Sequence, residues 1–302
     1  MQYMGKYLEI IKNRWQSSKN KFLFLNWVFL RIKKVFRIDF YDDCEKKTGK
    51  VDLIIPTVSK DYVLLEKYLE SLKNLCQEIN KIYVVSGHNK EILSFCARHN
   101  LIFIDENSVL GYGKETIKYI VSGVDRSGWI FQQLLKLSGE KFIDMENYII
   151  VDSDTILINK HSFLNGNKFV FFENEEWHEP YFRSFEKMFG YKAKNRLSFT
   201  SHMMIFNVEN LKKMKNELEI KHKMSWDKIY LSNIDEREMS CVSDYDTYAN
   251  WVFYHFSEKV IRKPLYNRSI SRTELSNLEN LKEKYKNKYK SISLHSYIRH
   301  LI

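Results

Sequence analysis

From residue 51 onward, short apolar runs alternate with stretches whose apolar positions recur every three or four residues. Val51-Asp-Leu-Ile-Ile-Pro-Thr57 reads as a buried strand stopped at a proline, and residues 61–75 as a helix with Tyr62, Leu65, Leu69 and Leu72 on one face. Residues 81–86 give a second strand, 90–99 a helix, 101–105 a third strand and 147–151 a fourth. Strands apolar almost throughout, separated by helices, predict an α/β fold with a mostly parallel, doubly wound sheet. Such sheets bind ligands beyond the carboxyl ends of their strands, where the crossovers diverge. Thr57, Ser86, Asp105 and Asp152-Ser-Asp154 all fall at such ends.

Gly128-Trp-Ile-Phe-Gln-Gln-Leu-Leu-Lys-Leu137 sorts on a helical wheel into a core arc (Ile130, Phe131, Leu134, Leu135, Leu137) and a polar arc of Gln132, Gln133 and Lys136. Trp129 lies on the polar arc, where it either covers a ligand or packs under another segment. Further on, residues 168–172 read as a strand, 173–181 as an acidic aromatic loop, and 203–206 as a strand feeding a helix from Val208. Another helix opens at Ser243, and the tail 273–302 reads as a Lys-rich helix followed by Ser291-Ile-Ser-Leu-His-Ser-Tyr-Ile298.

With 10 Gly and 3 Pro in 302 residues there is no linker to divide the chain, and 44% hydrophobic residues argue against disorder. The pattern predicts one catalytic domain, 46–302, with halves at about 51–157 and 158–302, and a basic helical extension at 1–45. Residues 1–38 carry nine Lys and Arg against Glu9 alone, so much of the net charge of +10 is concentrated there. The apolar run 22–32 is too short to span a bilayer, which takes about 20 residues, and no small-residue cleavage site follows it. It reads as an aromatic-rich helix resting on an anionic membrane surface, or as one packed on the domain with its lysines in solvent. Four widely spaced cysteines, without metal-site spacing, predict buried free thiols in a reducing compartment.

Asp152 and Asp154 follow an apolar strand and repel each other there unless a cation offsets them. A hard divalent ion, Mn²⁺ or Mg²⁺, takes one or two carboxylates plus substrate phosphates. The bland reading is a solvated turn. Gly111-Tyr-Gly-Lys114 lacks the full phosphate-loop form and reads as a turn before a helix. Lys282-Glu-Lys-Tyr-Lys-Asn-Lys-Tyr-Lys290 interleaves basic and aromatic residues, as a nucleic-acid binder or a solvated helix does; no nucleic acid is expected.

Two enzyme classes carry Asp-x-Asp after an apolar strand. Haloacid-dehalogenase-like phosphatases, with Asp152 as nucleophile, place the motif on their first strand and follow it with Thr or Val where this chain has Ile156. The chain resembles the GT-A glycosyltransferases more closely, in which the motif lies about one hundred residues into a nucleotide-binding half. The segments 128–137, Val151-Asp-Ser-Asp154, Ser201-His-Met-Met204, Ser243-Asp-Tyr-Asp246 and Leu294-His-Ser-Tyr297 together resemble a largely uncharacterised bacterial family of glycosyltransferase-like proteins from surface-polysaccharide gene clusters.

That resemblance implies a metal-dependent, nucleotide-sugar-dependent and inverting glycosyltransferase acting in capsule or lipopolysaccharide synthesis. The enzyme would be cytoplasmic or on the inner face of the cytoplasmic membrane, and its acceptor a glycan or a polyprenyl-pyrophosphate-linked chain. It assigns Asp152, Asp154 and His295 to the metal, and Thr57, Asp105, Trp129, Gln132, Gln133, Lys136, Asp152 and Ser153 to the donor. His202 and Trp177 are assigned to the acceptor, and Asp244 or Asp246 to the base. Ser243 and Asp246 also have the spacing of a capping box.

Overall fold

The structure, a computed structural model, describes residues 21–42, 44, 49–195 and 197–298. Residues 1–20 of the predicted extension, Arg196 at the head of its segment and the last four residues of the predicted tail lie outside the described residues.

Helix α1 (Lys21–Val35) leads into β1 (Lys50–Pro56). A 3₁₀ turn at 59–64 and α2 (Leu65–Ser71) connect to β2 (Glu78–Ser86), then α3 (Lys90–Arg98), β3 (Ile102–Asp105) and α4 (Glu106–Leu110). A small hairpin, β4 (Ile120–Val121) and β5 (Val124–Asp125), precedes α5 (Ser127–Lys136) and β6 (Asn147–Val151). Then come β7 (Thr155–Leu157), β8 (Leu164–Asn165), β9 (Lys168–Glu173) and α6 (Glu179–Phe189). The rest is β10 (Met203–Asn207), α7 (Val208–His222), α8 (Trp226–Leu231), α9 (Asp244–His255), β11 (Val260–Pro264), β12 (Asn267–Ser271), α10 (Leu278–Tyr285) and β13 (Ser291–His295).

The main sheet runs β10-β6-β1-β2-β3, with the last four strands parallel and β10 antiparallel at the edge. This is the expected α/β class, a mostly parallel sheet flanked by helices; the antiparallel edge was not foreseen. β1 and β6 are buried on both faces, as their unbroken apolar runs require. The crossover from β1 goes to β2 on one side, while β6 joins β1 from the other. Their carboxyl ends therefore form the switch point where ligands bind. Asp52, inside β1, is the one buried charge in the strand, and it accepts from Asn80 Nδ2 and the backbone N–H groups of Lys81, Asp144 and Met145.

Two further three-stranded sheets, β11-β9-β8 and β12-β13-β7, are built from strands between Thr155 and His295. The segment expected as one helix over 61–75 is instead 3₁₀, α and 3₁₀ in turn. In the first of these turns the Asp61 carboxylate points inward to Ser153 and Arg272. The predicted acidic loop ends early, because Pro180 starts α6 at its first turn. Cys44 and Cys76 form a disulfide with Cα atoms 4.8 Å apart, which corrects the expectation of four free thiols. Their spacing of 32 residues gave no sign of it; Cys96 and Cys241 are free and buried.

Asp42 fastens the segment after α1 to the second half. Its buried carboxylate meets Lys263 Nζ at 2.6 Å, the Lys290 ammonium, and the Ser162 N–H at 3.0 Å. Burial pushes its acidity the other way, but Lys290 and Lys263 prevail and hold the carboxyl below the usual range. Asp42→Asn leaves two lysines without their anion and should cost about 3–5 kcal/mol, read as a drop in urea midpoint at pH 7. The depressed value means the wild-type advantage is complete above roughly pH 4 and shrinks as the pH falls further, so the two midpoints should converge in acid.

Candidate functional site

The carboxyl edge of β1 and β6 opens into a cleft of about 490 Å³, lined by residues from both halves. Asp152-Ser-Asp154 forms its floor. The backbone reverses there, with Thr155 N–H donating to the Asp152 carbonyl at 2.8 Å, so β6 turns directly into β7. β7 pairs antiparallel with β13, Thr155 opposite Ser293, and Leu294 N–H donates to the Asp154 carbonyl. That register carries His295 across 141 residues to Asp154, with Nδ1 3.1 Å from Oδ2. His295 is buried, its ring stacks on Tyr297 at 4.8 Å, and its Nε2 has no partner.

Asp152 sits in a different environment. Lys136 Nζ lies 2.7 Å from its Oδ1, Tyr245 OH donates to the same oxygen at 2.8 Å, and His202 Nδ1 stands 3.5 Å from Oδ2. With both oxygens engaged, Asp152 is neither an unencumbered nucleophile nor an open metal ligand. Lys136 is buried between Asp152 and Asp244, whose Oδ2 is 3.3 Å away and makes no hydrogen bond. Burial opposes charge on Lys136, but the two aspartates outweigh it and raise its value. Burial likewise works against the Asp152 carboxylate, yet Lys136 and His202 hold it far below the carboxylate range. Asp244 goes the other way, pushed up by burial more than Lys136 can offset.

His202 has φ of +60°, a left-handed conformation that a residue with a Cβ adopts at some cost. Its carbonyl accepts the Asp152 N–H at 2.8 Å, and its ring lies 5.0 Å from that of His295. The strained backbone thus serves to bring an imidazole and a carbonyl to the same aspartate.

The other expected residues divide. Thr57 lines the cleft with a buried, unpartnered Oγ1. Trp129 lines it too, under the Arg126 guanidinium 4.3 Å above its ring. Gln132 reaches toward the Pro56 carbonyl at 3.5 Å, whereas Gln133 is buried and its Oε1 accepts from Tyr230 OH and Asp244 N–H. Ser153 donates to Asp61.

Three expectations do not meet the cleft. Asp105 caps α4 through the Asn107 N–H, and it is Glu106, the next residue, that lines the cleft. Trp177 stacks on Phe182 at 3.7 Å and donates to Glu179. Asp246 is saturated by Ser198 Oγ, Phe199 N–H and Thr200 Oγ1, so its carboxylate shapes the 198–200 segment, while Ser243 caps α9 by accepting the Asp246 backbone N–H.

Sequence reasoning missed Asp61, which faces Ser153 and pairs with Arg272 at 2.5 Å, and it missed Tyr245 and Tyr297. Tyr245 was visible as the residue inside Ser243-Asp-Tyr-Asp246; Asp61 and Arg272 carried no motif. Lys60, Lys114 and Arg126 add positive charge to the lining, while Arg262 and Lys263 are spent on Glu173 and Asp42.

Among the described residues no three His, Cys, Asp or Glu side chains form a ready-made metal cage. Mg²⁺ and Mn²⁺ need only one or two protein ligands when phosphates and water supply the others. Asp154 and His295, with its orphaned buried nitrogen, fit such a partial site.

Removing Lys136 strands two buried anions, so Lys136→Met should lower stability by about 3–5 kcal/mol in urea unfolding, and adding Asp244→Leu should recover part of it. His202 is raised: burial lowers it, and Asp152 more than reverses this. Its contribution is therefore full below roughly pH 6.5 and lost as the pH rises through the raised value, whereas that of Asp152 is full above roughly pH 4. Stability should decline on the alkaline side in the wild type and not in His202→Gln.

No curated protein matches the sequence significantly. The structure is similar to that of mouse xyloside xylosyltransferase 1, at 12% identity and TM-score 0.44 over 83% of this chain and 100% of that one. It is similar to galactosyltransferase LgtC bound to donor and acceptor sugar analogues, at 11% and 0.43 over 82% and 88%. It is also similar to the bifunctional glycosyltransferase WbbM, at 12% and 0.45 over 86% and 47%. Residues 48–284 match a family of unknown function, DUF6492, and the chain belongs to that family.

Proposed function

We propose that the protein transfers a sugar from a nucleotide-sugar donor to a glycan or polyprenyl-pyrophosphate-linked acceptor in bacterial surface-polysaccharide synthesis. The observation that carries this reading is the meeting of Asp154 with His295, two ligand types, at the switch point of a parallel sheet. A site of that kind suits a diphosphate held beside a divalent cation, Mn²⁺ or Mg²⁺. Asp154 and His295 would hold the ion, which when bound supplies positive charge to the departing diphosphate.

The chain's own residues account for the rest. Thr57, with an unused hydroxyl in the wall, offers the nucleoside a hydrogen bond, and Trp129 offers an apolar face. Lys60, Lys114 and Arg126 favour a polyanionic donor. Asp244, cleft-lining and with its proton affinity raised by burial, takes the acceptor hydroxyl proton as the acceptor oxygen bonds to the anomeric carbon and the nucleotide diphosphate leaves with the bonding electrons, inverting that centre. Lys136 positions Asp244 and neutralises Asp152. With a polyprenyl-linked acceptor the work is done on the inner face of the cytoplasmic membrane, and with a free glycan acceptor in the cytoplasm.

A thermal-shift panel of UDP-, GDP-, CMP- and dTDP-sugars with and without Mn²⁺ tests the proposal. The correct donor at 100 times its dissociation constant adds about 2.7 kcal/mol, and only with metal. Asp154→Asn should abolish both the shift and transfer, while Asp244→Asn should keep the shift and lose roughly 10²–10⁴ in turnover. Full activity of Asp154→Asn in chelator, or turnover of p-nitrophenyl phosphate that Asp152→Asn abolishes, would overturn it.

A further inference from the structure

Helix α1 is apolar on two opposite sides, and the fold uses only one. Trp27 and Leu30 are buried with Leu197, and Arg31 and Lys34 on the same side pair with Glu175 at 2.6 and 2.9 Å. Tyr266 OH donates to the Lys33 and Ile38 carbonyls, fixing the end of the helix to the loop between β11 and β12. The helix is therefore docked in one rotational setting. At 3.6 residues per turn, Leu25, Phe29, Ile32 and Phe36 fall within an arc of about 60° opposite that contact. Leu25 is 57% exposed, Phe29 62%, Ile32 45% and Phe36 73%.

Large apolar side chains gathered in one exposed stripe mark a surface that something else covers. We infer that this face of α1 lies in the interface of an anionic lipid bilayer. Charge selects that occupant. Residues 1–38 hold nine Lys and Arg and a single acid, so a second copy of the chain would bring like charge against like charge, whereas anionic headgroups complement it. Lys33 lies 5.2 Å over the Phe29 ring, and the exposed Arg37 stands next to Phe36, putting cations at the rim of the apolar stripe as interfacial helices do. Among the described residues no helix is long and apolar enough to cross a membrane, so the mode is resting on the surface rather than spanning it. The inference stands on α1 and the charge of residues 1–38 and does not depend on the reading of the cleft.

The test is co-sedimentation of the full chain with phosphatidylglycerol-containing vesicles and with vesicles of phosphatidylcholine alone. Binding to the first and not the second is expected, weakening as salt is added. Phe29→Glu with Phe36→Glu, both on the exposed face, should abolish it with an unchanged thermal melt, and Arg37→Glu should weaken it roughly tenfold. Absence of sedimentation with anionic vesicles, or equal binding by the double variant, would overturn the inference. So would a dimer in light scattering that the double variant dissolves without any vesicle binding, because the stripe would then be covered by a second copy.

Discussion

The cleft rests on an electrostatic constraint: Asp152 and Asp244 are buried within reach of one ammonium, Lys136. Burying either carboxylate ionised is costly without that lysine, and burying the lysine is costly without them. The arrangement fixes α5, which supplies Lys136, against β6, which ends in Asp152, and against α9, which begins with Asp244. Three elements from different parts of the chain are registered by one charge cluster. The aspartates are thereby given different characters: Asp152 is held ionised and occupied, Asp154 stands beside His295, and burial raises the proton affinity of Asp244.

The Arg272–Asp61 ion pair supports the floor from the opposite side. Arg272 pairs with Asp61 and donates to the carbonyls of Lys60 and Leu294, so one guanidinium joins the turn after β1 to β13. Asp61 in turn receives Ser153 Oγ from inside the motif. The residue between the two aspartates is thus a fastening point, and its small hydroxyl suits a position with almost no exposure.

Much of this architecture was legible because it is local. β1 and β6 are continuous apolar runs, and such runs in alternation with helices leave few alternatives to a parallel sheet. The helix 127–136 was readable to within one residue, since its two arcs separate cleanly. What was not legible depends on contacts distant in sequence. Nothing near Asp61 distinguishes it from a helix-surface acid; its partner is 211 positions later by number. Gln133 and Trp177 looked available and are consumed by neighbours the sequence does not place. Asp246 offered two readings, cap or base, and the three donors around its carboxylate decide for structure.

The pairing of β13 with β7 has a temporal side. The floor turn and the residue that completes it are separated by 141 positions, so a growing chain can fold the sheet strands β1 to β6 long before His295 exists. At roughly 5–20 residues per second, the interval between synthesis of Asp154 and of His295 is on the order of ten seconds. During that interval Asp154 lacks the partner that β13 brings to it. The Asp154–His295 pair therefore forms only once β13 pairs with β7, late in synthesis.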